Sequence, residues 1–151
     1  MYNTRKLTDD LTWIGGIDRK IQKFENVYKL NSGMNYNSYF LDCGATVLFD
    51  TVGRETADIF FENLEFCLAG RALDYVVVHH MEPDHSATLA EVLDANADAK
   101  LIVNAKTLQF ISQLPQLFLW ICLSRGRMIR IRILIGIRRN FRINGTVRFN
   151  I

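Results

Sequence analysis

The stretch DYVVVHHMEPDHSATLAEVLDANADAKLIVN, residues 74–104, decides the fold class. It opens with DYVVV (74–78) and closes with KLIVN (100–104), two apolar, β-branched runs of the kind that fill strands buried on both faces. Between them SATLAEVLDAN (86–96) places Leu89, Val92 and Leu93 on one helical face, with Ser86 positioned as a cap. Strand, helix, strand predicts a βαβ unit with a right-handed crossover, and hence an α/β fold. The histidine- and acid-rich link HHMEPDH then falls just past the carboxyl end of a buried strand, where α/β sheets place ligand sites.

The link reads H-x-E-x-D-H, with His80, Glu82, Asp84 and His85 as candidate metal ligands. Imidazole and carboxylate without thiolate suit harder metals such as iron. Four donors in six residues cannot easily all reach one ion. In an extended loop His80 and Glu82 point the same way, while Asp84 and His85 can turn toward a second ion, so two metals sharing a cleft is the expected arrangement. Pro83 stiffens the loop and biases Glu82 toward an extended backbone. Strand alternation turns His79 away from His80, which makes it a packing or supporting residue rather than a ligand. The competing reading is a charged loop whose acids favour the following helix N-terminus.

Moving outward, LTWIGG (11–16), NSYFLD (37–42) and TVLFD (46–50) read as strands, the last two joined through Cys43-Gly44-Ala45 as a hairpin with glycine taking positive φ. RETADIFFENLEFCLAG has apolar residues near a 3.6 period and predicts a helix closed by Gly70. KTLQFISQL begins a further helix.

A chain of 151 residues that is 49% apolar and 23% charged can build a core, which excludes wholesale disorder. Cys43, Cys67 and Cys122 are widely spaced, with no C-x-x-C pair, so neither a disulfide framework nor a cysteine zinc site is expected, and a reducing, cytoplasmic setting fits. Neither a signal peptide nor a run of roughly 18 apolar residues is present, so no membrane association is expected. Charge is divided unevenly. Residues 1–112 hold 10 basic and all 16 acidic residues, a net of −6, whereas residues 113–151 hold 8 arginines and no acid, a net of +8. That shift marks a boundary.

HHMEPDHSA resembles the H-x-H-x-D-H signature of the metallo-β-lactamase superfamily, in the form where glutamate replaces the second histidine. That form is typical of flavodiiron proteins, also called A-type flavoproteins. GMNYNSYFLDCGATVLFDTVG and LTDDLTWIGGID are similar to their opening segments, so the resemblance runs from about Leu7 to Ser112. It implies the N-terminal half of an αββα sandwich over residues 1–112, with His80 and Glu82 on one iron and Asp84 and His85 on the other. It also implies an oxidoreductase that reduces dioxygen to water, nitric oxide to nitrous oxide, or both. In the family, electrons come from an FMN in a following flavodoxin-like domain, fed by a donor such as rubredoxin or a flavin reductase. A head-to-tail homodimer brings one subunit's FMN beside the other's irons.

The sequence departs from that pattern after the motif. The family requires a further histidine, a bridging aspartate and a last histidine, yet no histidine follows His85 and the last aspartate is Asp98. Only four of seven ligands are therefore expected, along with no flavodoxin-like domain, and a truncated chain inactive by itself. From Gln113 onward arginine and isoleucine dominate, eight of each. The expectation is an out-of-frame continuation over 113–151, since AT-rich codons read in the wrong frame yield this mixture. Its alternatives are further strands, in RIRILI and the Asn-Gly turn of RINGTVRF, or an arm for nucleic acid or an anionic surface. Two other functions compete with the oxidoreductase. One is a hydrolase of the metallo-β-lactamase superfamily, against which Glu82 argues, and the other a non-catalytic binding module with the arginine-rich arm, against which the acidic folded part argues.

Overall fold

The computed structural model describes residues 2–24 and 27–114, together with the backbone of Arg132–Ile133. Six short strands come first: β1 (Arg5–Lys6), β2 (Leu11–Trp13), β3 (Gly16–Asp18), β4 (Lys23–Phe24), β5 (Tyr28–Lys29) and β6 (Met34–Tyr36). The hairpin β7 (Tyr39–Asp42) and β8 (Thr46–Phe49) leads into α1 (Ala57–Leu68). Then follow β9 (Tyr75–Val78), α2 (Pro83–Ser86), α3 (Leu89–Ala95), β10 (Lys100–Val103), α4 (Ala105–Ile111) and β11 (Arg132–Ile133). Seven strands form one mixed sheet in the order β1-β2-β7-β8-β9-β10-β11. β3 pairs with β6, and β4 with β5, in two small ribbons.

The hairpin forms as its turn chemistry dictates. Gly44 takes φ 85°, where a Cβ would be strained, and Phe40 then lies opposite Leu48. β8, β9 and β10 run parallel, so the predicted β9-α-β10 unit is joined by a second crossover through α1. The register sets Phe40, Leu48, Val76 and Leu101 in one row across four strands. All four are buried in a single core with Phe60 and Leu64 of α1, Leu89, Val92 and Leu93 of α3, and Ile111 of α4. This is the helix-covered face of the sheet.

Three expectations are corrected. LTWIGG is not one strand: β2 ends at Trp13 in the main sheet, and Gly16 begins β3 in the ribbon with β6. Gly15 lies in the link between them, where a Cβ would lie 1.9 Å from the Tyr36 carbonyl oxygen, so a side chain has no room there. α1 closes on Ala69, which takes the left-handed conformation at φ 49°, one residue before Gly70. The helix expected over Ser86–Asn96 is broken into α2 and α3, and Ser86 ends α2 instead of capping, its hydroxyl donating to the Glu82 carbonyl. Thr88 precedes α3, but its hydroxyl donates to the Val52 carbonyl rather than capping the helix.

β11 lies within RIRILI, parallel to β10, with Ile102 opposite Arg132. The expected RINGTVRF turn and the remainder of the arginine-rich segment lie outside the described residues. Among the described residues no helix is long and apolar enough to cross a membrane.

Leu48 is fully buried in the middle of the four-residue row. Replacing it with alanine is expected to cost about 2–5 kcal/mol, read as a lower denaturant midpoint at unchanged slope. A loss below about 0.5 kcal/mol, the scale of a surface substitution, would show that the row is not the core.

Candidate metal centre

The four candidate ligands do not lie in an extended loop. His80 and Glu82 occupy the link after β9, whereas Asp84 and His85 ride on the helical turn α2, which Pro83 starts with its preset φ. Glu82 keeps the extended backbone expected before proline, at φ −66° and ψ 144°. Two close pairs result. His80 Nδ1 and Glu82 Oε2 are 3.8 Å apart, and His85 Nε2 and Asp84 Oδ2 are 3.3 Å apart. The rings of His80 and His85 have centroids 4.2 Å apart and are tilted 49° to each other, so the pairs adjoin.

The loop is anchored from below. The Thr51 backbone N–H and hydroxyl both donate to the His85 carbonyl, at 2.8 and 3.0 Å. Asn104 Nδ2 and Thr107 Oγ1 both donate to the carbonyl of His79. His79 itself turns its ring against Phe49 and its Nδ1 to Asp50.

The donor chemistry can be tested against a metal ion. Two ligands bonded at roughly 2.1 Å to one ion stand about 3.0–3.4 Å apart at angles of 90–109°. The His85 Nε2 to Asp84 Oδ2 gap matches that spacing, and the His80 to Glu82 gap is a few tenths wider. Asp84 Oδ1 is buried with no hydrogen-bond partner, an orphaned acceptor of the kind a cation would satisfy. No three His, Cys, Asp or Glu side chains among the described residues are grouped to hold an ion. The donors stand as two pairs, His80 with Glu82 and Asp84 with His85.

Two residues near this centre were missed in the sequence. Asp50 follows β8 and is nearly buried, and its Oδ2 meets both His79 Nδ1 at 2.8 Å and His85 Nδ1 at 3.2 Å. Tyr36, buried to 3% exposure, has its phenol pushed up to about 12 by loss of solvent, with Glu55, Asp18 and Asp84 adding to the effect. An acid at a strand end was the available signal for Asp50; nothing in the sequence pattern pointed to Tyr36.

The profile of the ODP family beta lactamase matches residues 34–133. The chain belongs to the ODP beta-lactamase family. The ODP chain is 34% identical over 92 residues to an anaerobic nitric oxide reductase flavorubredoxin of Aliivibrio fischeri, covering 60% of this chain and 18% of that protein. It is 30% identical over 99 residues to a flavo-diiron protein of Clostridium acetobutylicum, covering 66% and 25%. In fold it is similar to the rubredoxin oxygen:oxidoreductase of Desulfovibrio gigas, with TM-score 0.73 and 20% identity over 87% of this chain and 31% of that one. The metallo-β-lactamase-like α/β fold and the resemblance to flavodiiron proteins expected from the motif thus hold for the ODP chain. It spans less than a third of the length of these proteins.

The buried phenol gives a measurable signature. Because Tyr36 ionises at about 12 in the fold against 10.0 ordinarily, the unfolded chain releases its proton first. Its contribution to stability is complete below pH 10 and is lost as pH rises from there through about 12. Ultraviolet titration should show one tyrosinate appearing late, and the Tyr36→Phe chain should lack that step; an unchanged titration would refute the assignment.

Proposed function

We propose that this domain carries part of the non-haem di-iron site of an oxidoreductase that reduces dioxygen to water, nitric oxide to nitrous oxide, or both. The observation that carries the reading is the paired geometry. His85 Nε2 faces Asp84 Oδ2 at ligand spacing, with an orphaned Asp84 oxygen, in a chain whose relatives are named flavo-diiron protein and nitric oxide reductase flavorubredoxin. His80 and Glu82 would hold one iron, and Asp84 and His85 the other. Iron bound by these residues would supply the electrons for reducing a small molecule.

The protein's own residues supply orientation and exclusion. Pro83 and the Thr51 contacts hold α2 in place, fixing where Asp84 and His85 point. Tyr36 stays a neutral phenol at working pH, so it adds no charge near the carboxylates. FMN in a partner domain of the whole protein, a rubredoxin or flavin reductase as electron donor, a head-to-tail homodimer and a cytoplasmic setting complete the proposal. The names of the similar flavorubredoxin and rubredoxin oxygen:oxidoreductase support the flavin and the rubredoxin donor. Glu82 in the place of a second histidine favours this reading over a zinc hydrolase.

Four donors are fewer than two irons need, so the chain purified by itself is expected to hold fewer than two irons. Glu82→His should shift the bound metal from iron toward zinc, measured by competition between Fe(II) and Zn(II) under anaerobic conditions. Equal metal ratios in the parent and the variant would remove Glu82 from the ligand set.

A further inference from the structure

We propose that the sheet face turned away from the helices is a docking surface, and that its occupant is the amphipathic segment 139–149 of this same chain, folded over it as a two-stranded ribbon. No bound metal is needed for this closure.

The sheet is apolar on both faces. Side chains alternate along a strand, so the neighbours of the core row Phe40, Leu48, Val76 and Leu101 point the other way. The register sets Trp13, Tyr39, Phe49, Val77 and Ile102 in one row across five strands on that second face. Leu41, Val47 and Tyr75 form another, which ends at Lys100 with its ammonium 5.0 Å from the centre of the Tyr75 ring. None of these side chains belongs to the helix-covered core, and Trp13, Tyr39, Phe49 and Tyr75 are only half-buried. Among the described residues, α1, α3 and α4 all send their buried side chains to the opposite face. Parallel strands that are apolar on both sides belong to sheets covered on both sides, and a contiguous apolar face left open is a surface that takes a partner.

The chain that follows β11 has the pattern of such a cover. β11, within RIRILI, is the last strand in the sheet order, so the arginine-rich segment already contributes to the sheet. Beyond it Phe141, Ile143, Val147 and Phe149 alternate with Asn140, Arg142, Thr146 and Arg148 around Asn144-Gly145, the period of a strand pair with one buried face. The alternation selects the loop. A two-residue loop at Asn144-Gly145 would set Phe141 across from Arg148 and mix the faces. A three-residue loop, Ile143-Asn144-Gly145, with glycine in its left-handed last place, sets Phe141 across from Val147 and keeps one face apolar. Arg139 breaks the pattern at the open end of the ribbon, where its long stem can carry the charge past the apolar rim to water. Reach is sufficient, since the steps from Ile133 to Arg139 span about 20 Å of extended chain against roughly 10 Å between packed layers. Charge also draws the two parts together, at −6 for residues 1–112 and +8 for 113–151.

The test uses the complete chain with Phe149→p-benzoylphenylalanine, irradiated in dilute solution, digested and read by mass spectrometry. Cross-links within one chain to residues of β8, β9 or β10 are expected. Cross-links joining two chains would give the face to a second copy and overturn the proposal, as would cross-links confined to the helices, or none. Amide hydrogen exchange gives an independent reading. In the parent, amides over 139–149 should exchange at least about 10-fold more slowly than those of an unstructured chain. The pair Phe141→Asp and Phe149→Asp should abolish that protection, whereas the pair Arg142→Gln and Arg148→Gln, on the water side, should retain it. Parent amides at the unstructured rate, or protection that does not follow the apolar face, overturns the proposal. If the aspartate pair does not stay in solution, the cross-links and the parent exchange rates decide.

Discussion

The parallel register of β8 on β9 is the constraint on which the rest of the centre depends. Phe49 lies opposite Val77, and the next residue, Asp50, donates its N–H to the Val77 carbonyl. That single alignment brings the ends of two strands to the same level, so that the acid leaving β8 meets the histidines leaving β9. A one-residue slip would turn every side chain of β8 to the other face. Leu48 would leave the core, and Asp50 would lose both imidazoles. Core and site are therefore specified by the same pairing.

The short helical turn after β9 converts a flexible link into a presented one. Pro83 starts α2 with its ring, Thr51 clamps the His85 carbonyl from the β8 side, and Asn104 and Thr107 clamp the His79 carbonyl from the β10 side. The motif is thus held at both ends by neighbouring strands' loops, while its donor side chains remain less constrained. Asp84 shows the consequence, with one carboxylate oxygen close to His85 and the other buried without a partner. A buried acceptor left without a partner is costly.

Much of this was legible in the chain. The runs DYVVV and KLIVN announced two buried parallel strands because β-branched apolar residues have few other uses at that density, and Gly44 announced the hairpin turn. The grouping of His80 with Glu82 and of Asp84 with His85 was expected from an extended loop, whereas the structure reaches it through the helical turn that Pro83 starts. The break between α2 and α3 was not, since Thr88 gives its hydroxyl to Val52, far away in sequence. Nor was the burial of Tyr36, which depends on packing that no local pattern records.

The sequence by itself determined the α/β class, the strand-end position of the motif, and the family to which HHMEPDHSA points, because these rest on residue type and spacing within short windows. Only the tertiary structure decided which acid stands behind His85, how α2 turns Asp84 toward it, and which face of the sheet the helices cover. Those outcomes depend on pairing between β8 and β9, whose contacting residues are nearly thirty positions apart. Local propensity carries no information across such a distance until the backbone hydrogen bonds of the sheet select one register.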